Sequence, residues 1–419
     1  MRTVLAPSVV SSFRMPDAQI PPVRPVRVAL FTGNYNHIAD GVSLTLNRLV
    51  RHLEAQGHVV RVVGPTIEEP PIDHAGTLLD VPSLPMPGRP EYRISTILPR
   101  RVKAELEAFA PDVVHIATPD FLGLQALRWA KQQKLPIVAS YHTHFSSYLK
   151  YYNRAWMESA MWGFLRWFYR QCTQIYVPTP SMAEVLREHG IDRGLLLWPR
   201  GVETDRFTPS RRNAAWRAEQ GFAEDDVVVT FVSRLVWEKG LEVFAQVIER
   251  LEADGVPHRS LIVGEGVARE PLEARLPKTV FTGYLGGTDI ATAYASSDVF
   301  FFPSDTETFG NVTLEAMASG TPPVCADATG AADLVDHGVD GFLAPPEDVD
   351  TFYQHVRRLV TDADLRRQFG ETAHERAQAY DWPVILGRIP AYYATLLHDE
   401  PLPPGASPFA APALNLNLN

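Results

Sequence analysis

Residues 298–320 read DVFFFPSDTETFGNVTLEAMASG, and this stretch decides the fold. The apolar run 298–303 has the length and aromatic content of a buried parallel strand. A short polar loop with Glu307 follows, and Phe309-Gly310-Asn311 then opens a helix that carries Glu315 in its early turns. The first amides of a helix lack intrahelical partners and lie at the positive end of its dipole, so they attract phosphate oxygens. Carboxylates accept hydrogen bonds from hydroxyls. Glu307 before the anion site and Glu315 eight residues later therefore suit a ligand with sugar hydroxyls on either side of a phosphate, as in a nucleotide-sugar.

Outward from this segment, strand-like and helical runs alternate through the whole chain, the pattern of doubly wound parallel sheets. In the first half strands are expected at 26–32, 59–64, 113–117, 137–141, 175–178 and 195–198, with helices near 43–56, 98–109, 121–133, 154–172 and 180–189. A second series of strands is expected at 227–233, 260–263, 280–283, 299–303, 323–326 and 341–343. Residues 66–97 are rich in proline and read as a long surface loop. At 419 residues there is room for two cores. The expected division is a flexible segment 1–25, a first α/β domain 26–205, a second 206–379, a helix 380–398 and a disordered tail 399–419.

Composition narrows the chemistry. Cys172 and Cys325 make neither a disulfide framework nor a metal-like spacing, and both read as core residues. No apolar run approaches a membrane span, and the opening residues are too weak for a signal peptide, so a cytoplasmic location is expected. Residues 1–210 carry 23 Lys+Arg against 18 Asp+Glu, while the remainder carries 16 against 31. The first half is thus expected to face something anionic. Without a dense basic block, nucleic acid is a poor candidate and a membrane surface a better one. No G-x-G-x-x-G follows the first strand, which disfavours a nicotinamide dehydrogenase.

Glu307 and Glu315, framed by Phe309-Gly310 and by Glu315-Ala316-Met317-Ala318-Ser319-Gly320, resemble the donor-site signature of retaining glycosyltransferase family 4. The resemblance extends over about residues 26–398. It implies the GT-B architecture: two Rossmann-like domains facing a cleft, with the last helix returning to the first domain. It also implies that Glu307 contacts the donor sugar, that amides around Phe309, Gly310 and Asn311 meet the diphosphate, and that Glu315 holds the ribose diol. Arg234 and Lys239, in SRLVWEKG after the first strand of the second half, resemble the family's cationic pair for the leaving diphosphate. The turn at Gly264 is placed by the family near the base, as is TGYL at 282–285. Gly41 is the one glycine of a loop where relatives often carry two, which let the backbone approach the donor phosphate. His142, at a strand end, matches the family histidine that points at the donor sugar.

Residues 145–172 are the most aromatic stretch of the chain. At about 100° per residue, Trp162 and Tyr169 share a face with Arg166 and Arg170, as an interfacial helix would arrange them, although aromatic helices also pack in cores. Tyr148, Trp162, Arg166, Tyr169 and Arg170 are therefore expected to face the acceptor or membrane. Arg200 stands where many relatives carry Asn, which resembles the lipid-glycosylating branch, including sulfoquinovosyl-diacylglycerol synthases and mannosyl- and glucuronosyl-lipid enzymes. The first expectation is a cofactor-free, metal-independent transferase. It would move a hexose or hexuronic acid from a UDP- or GDP-linked donor to diacylglycerol, a phosphoinositide or a sphingolipid. A polysaccharide or lipid-linked oligosaccharide acceptor is the second reading, and an inactive nucleotide-sugar-binding scaffold is the third.

Overall fold

The computed structural model describes residues 24–141, 158–307, 309–328, 330–403 and 405–407. Among the described residues nine strands lie in the first half: β1 Arg27–Phe31, β2 Val59–Gly64, β3 Thr77–Asp80, β4 Ser83–Met86, β5 Arg89–Ser95, β6 Val113–Ile116, β7 Ile137–Ser140, β8 Gln174–Val177 and β9 Leu195–Leu197. Six more follow: β10 Val228–Val232, β11 Arg259–Val263, β12 Val280–Gly283, β13 Val299–Phe302, β14 Pro323–Ala326 and β15 Phe342–Ala344. They build a seven-stranded sheet in the order β3-β2-β1-β6-β7-β8-β9 and a six-stranded sheet in the order β12-β11-β10-β13-β14-β15. Every pairing in both sheets is parallel. Strands covered on both faces must be apolar throughout, which is why VFFF and PVCA read as continuous runs without alternation. The architecture is two-domain GT-B.

The chain returns to its beginning. After the short helix Trp382–Leu386, the helix Arg388–His398 buries Ile389, Tyr392 and Tyr393 against the core containing Val28, Val62 and Tyr176. The Tyr393 hydroxyl lies 2.8 Å from Nδ1 of buried His115, and Gln174 Nε2 donates to the Tyr392 carbonyl at 3.1 Å. Helices that follow a parallel strand start at its carboxyl end, and the carboxyl edges of the two sheets meet. The backbone amide of Ser181, after β8, donates to the Asp333 carboxylate, after β14, at 3.2 Å, and its hydroxyl binds the same group.

Three expectations are corrected. Residues 66–97 are not one loop: β3 extends the first sheet, and β4 and β5 form a separate antiparallel hairpin. Proline tolerates edge strands, where an amide need not donate, so Pro82, Pro85, Pro87 and Pro90 masked strands without preventing them. The tail is not wholly without structure, since Leu197 donates to the Ala406 carbonyl at 2.9 Å and Ala406 is buried on the edge of β9.

The third correction concerns the aromatic helix. In Glu158–Tyr169, Trp162, Leu165 and Tyr169 form one stripe that is buried in the first core. Trp162 stacks on His189 at 3.7 Å between ring centroids, and the Tyr169 hydroxyl donates to Ser140 O at 3.2 Å. Arg166 and Arg170 lie near them because their Nε atoms donate to the carbonyls of His189 and Gly190, at 2.8 and 3.1 Å. Those carbonyls end the helix Pro180–Glu188 and need donors from elsewhere. Arginine beside tryptophan here satisfies a neighbouring helix end, so Trp162 and Tyr169 are not surface anchors. Tyr148 and His142 lie outside the described residues.

Candidate functional site

The site is assembled at the carboxyl edge of the second sheet, where open α/β sheets bind ligands. Two glycines set its backbone. At Gly264 φ is +139°, and a Cβ would lie 1.8 Å from Ser233 O; at Gly240 φ is +76°, and a Cβ would lie 2.5 Å from Pro303 O. No side chain fits either place. The loop after β10 therefore lies flush against the turns after β11 and β13, and Leu235 N donates to Glu265 O at 2.8 Å. This packing sets Lys239, at the end of the turn Trp237–Lys239, against the loop after β13. Lys239 Nζ and Glu307 Oε1 are 2.5 Å apart, with both side chains largely shielded from solvent. Arg234 lies on the same loop with its side chain exposed. Lys239 and Glu307 are thus brought into contact, and Arg234 shares their loop and sheet edge.

Phe309 is buried and Gly310, at φ +92°, begins the helix Asn311–Ala318 without a side-chain cap. Unclaimed amides at the start of a helix form an anion site. One turn further, Glu315 receives a hydrogen bond from the Tyr294 hydroxyl at 3.1 Å. Burial pushes its pKa up to about 7, opposed by the Tyr294 hydroxyl and by Arg206 and Arg48, while nearby Glu203 adds to the rise. Glu203 accepts from both Arg48 and Arg206, the latter at 3.0 Å, so a charged cluster from the first domain and the inter-domain segment faces Glu315. Sequence reasoning missed Tyr294, Arg48, Glu203 and Arg206. They are remote along the chain from the motif they serve, and no local signal marks them.

The first sheet contributes differently. Asp40 caps the helix Gly41–Ala55, taking the amides of Val42 and Ser43 on Oδ1 at 3.0 and 2.8 Å. A carboxylate thus already occupies the anion position of that helix. A Cβ at Gly41 would meet nothing within 4 Å, so no close contact within the chain requires glycine there. Arg200 lies buried beneath the same helix start, donating to Gly41 O at 3.4 Å and to the Thr45 hydroxyl. Burial lowers its pKa to about 10, partly offset by Asp40. Among the described residues no group of three or more His, Cys, Asp or Glu side chains is placed to hold a metal ion.

Comparison with known proteins identifies the family. Residues 39–206 match the family model described as Glycosyltransferase Family 4, and residues 212–376 match that of Glycosyl transferases group 1. A GDP-mannose-dependent alpha-mannosyltransferase of Corynebacterium glutamicum is 31% identical over 379 residues, covering 90% of each chain. A sulfoquinovosyl transferase of Arabidopsis thaliana is 33% identical over 376 residues, covering 87% of this chain and 73% of that one. Among solved structures, a sucrose-phosphate synthase from Thermosynechococcus elongatus superposes with a TM-score of 0.72 at 20% identity, covering 90% of this chain and all of that one. With the GT-B frame, both family models and relatives matched along most of their length, the chain belongs to glycosyltransferase family 4 and is a glycosyltransferase.

Proposed function

We propose that this enzyme moves a hexose or hexuronic acid from a nucleoside diphosphate sugar to a membrane lipid, with retention at the anomeric carbon and as a protein attached peripherally to the bilayer. The observation that carries the donor half is the cluster of Arg234, the Lys239–Glu307 pair and the uncapped helix start at Gly310, all on one sheet edge. A leaving diphosphate gains negative charge as the glycosidic bond breaks. Fixed cations and helix amides stabilise that charge without reorganising. Glu307, held by Lys239, accepts from the sugar hydroxyls and Glu315 from the ribose diol. No carboxylate among these residues is free to act as a covalent nucleophile, so the acceptor hydroxyl attacks from the face the diphosphate leaves, and the diphosphate takes its proton.

The lipid half is supported by relatives: the Arabidopsis sulfoquinovosyl transferase and, at 24% identity over 315 residues, an alpha-monoglucosyldiacylglycerol synthase of Streptococcus pneumoniae. The nucleotide-sugar donor is supported by the GDP-mannose dependence of the corynebacterial relative. No helix among the described residues is long and apolar enough to cross a membrane, so access to lipid would be from the surface. The test is incubation of purified protein with UDP- and GDP-sugars and a total lipid extract. Nucleoside diphosphate release should depend on the lipid, and mass spectrometry should find a lipid gaining one glycosyl unit. Transfer to soluble saccharides alone would replace the lipid acceptor with an oligosaccharide one.

A further inference from the structure

The hairpin of β4 and β5 is built inside out. Leu84 pairs with Ile94 across it, and Ser83 with Ser95. Side chains alternate between the two faces of a strand, so Leu84, Met86 and Ile94 share one face and Ser83, Arg93 and Ser95 the other. A hairpin lying on a soluble protein turns its apolar face inward. Here Ser95 is buried and the Arg93 guanidinium is tied to Ser83 Oγ and O, while Leu84 is 62% exposed and Met86 and Ile94 are each 37% exposed. Ile97, just beyond β5, is 56% exposed. Among the described residues no third strand joins the pair. Residues 83–101 carry four arginines, Arg89, Arg93, Arg100 and Arg101, and the single acid Glu91.

Position gives this face its direction. Because β3 runs parallel to β2, it ends at the carboxyl edge of the first sheet, the edge that meets the second domain, and the hairpin leaves from that edge. The second half of the chain, which carries 16 basic and 31 acidic residues, is repelled by the same surface that would attract these arginines. We infer that the β4–β5 hairpin is the membrane-docking element of this enzyme, seating Leu84, Met86, Ile94 and Ile97 among the acyl chains of an anionic bilayer with the exposed Arg89 and Arg100 at the phosphates. Apolar side chains flanked by arginine are the composition of an interfacial anchor. The inference rests on the lipid-acceptor reading above and assigns to the hairpin a role that the sequence pattern suggested for the helix Glu158–Tyr169.

The full chain is sedimented with vesicles of phosphatidylcholine containing about 30% phosphatidylglycerol, over a salt series. Leu84→Ser/Ile94→Ser should lower partitioning by about tenfold or more at every salt concentration. Arg89→Glu/Arg100→Glu should lower it only at low salt. Trp167→Ser, at an exposed tryptophan of the helix, should leave it unchanged. Transfer to detergent-dispersed lipid should be unaffected in all three, which also shows that they fold. If wild type transfers to dispersed lipid but the Leu84/Ile94 variant binds vesicles as wild type does, the hairpin assignment falls and the lipid-acceptor reading stands. If Trp167→Ser carries the loss instead, the hairpin assignment likewise falls. A wild type that transfers only to soluble acceptors overturns both.

Discussion

At the edge of the first sheet the helices Gly41–Ala55, Phe121–Gln132 and Pro180–Glu188 are capped by their own neighbours Asp40, Asp120 and Thr179. At the edge of the second sheet the helices that follow β10, β11, β12, β13 and β14 begin at Gly240, Ala268, Gly286, Gly310 and Gly330, and none has a side-chain cap. Capping satisfies amides at the cost of their availability. These three helix starts of the first domain are satisfied within the chain, although Arg100–Phe109 begins at Pro99 without a side-chain cap, whereas the second domain leaves the amides at Gly310 open on the same sheet edge as Arg234 and Lys239. On the function proposed above, the difference divides the work of two similar sheets: the second would hold the donor phosphates, and the first would supply a settled frame and the surface that meets the acceptor.

The comparison can be broken most sharply at Trp162. If the first domain's aromatic helix is packing and not anchor, Trp162→Ala should cost about 3–5 kcal/mol in chemical denaturation, with nucleotide affinity per folded molecule unchanged. A stable variant with lost membrane affinity would restore the anchor reading. On the second sheet, Arg234→Ala and Lys239→Ala should each reduce turnover at least ~10²-fold at saturating donor, with the double variant less than additive because both serve one leaving group. Near-normal turnover in either would remove that residue from the diphosphate.

Glu315→Ala should weaken nucleoside diphosphate binding by about 1.5–3 kcal/mol in titration calorimetry. Because burial raises the Glu315 pKa to about 7, the carboxylate form that accepts ribose hydroxyls grows as pH rises through that value. Affinity should therefore climb between about pH 6 and pH 8, and Glu315→Gln should lose this part of the dependence. The sign for stability is opposite: a raised carboxyl pKa stabilises the fold most at low pH, and that contribution fades as pH rises through about 7. The smallest effect separates two glycines. Gly264→Ala puts a Cβ against Ser233 O at positive φ and should cost more than about 1 kcal/mol, whereas Gly41→Ala, in open space at a helix start, should be neutral within about 0.5 kcal/mol or slightly stabilising. Equal costs would mean that the two edges are not built by different rules.

Much of this molecule is written locally. A strand buried on both faces favours a largely apolar run, so VFFF at 299–302 announces itself, as does VVTFV at 228–232 with only Thr230 polar. The candidate donor motif is contiguous too, because strand, turn and helix start bring Glu307, Gly310 and Glu315 to one edge without help from elsewhere. What the tertiary structure alone decided is which side chains meet across the fold and which faces stay in water. Trp162 and Leu84 illustrate both sides. An aromatic helix rich in arginine is compatible with a bilayer or a core, and its packing on the helix Pro180–Glu188 chose the core. A proline-rich stretch gives no period to read, yet its backbone pairs into a hairpin that turns Leu84 and Ile94 outward. Periodicity fixes neighbours along a chain; burial depends on which other elements the fold packs against it.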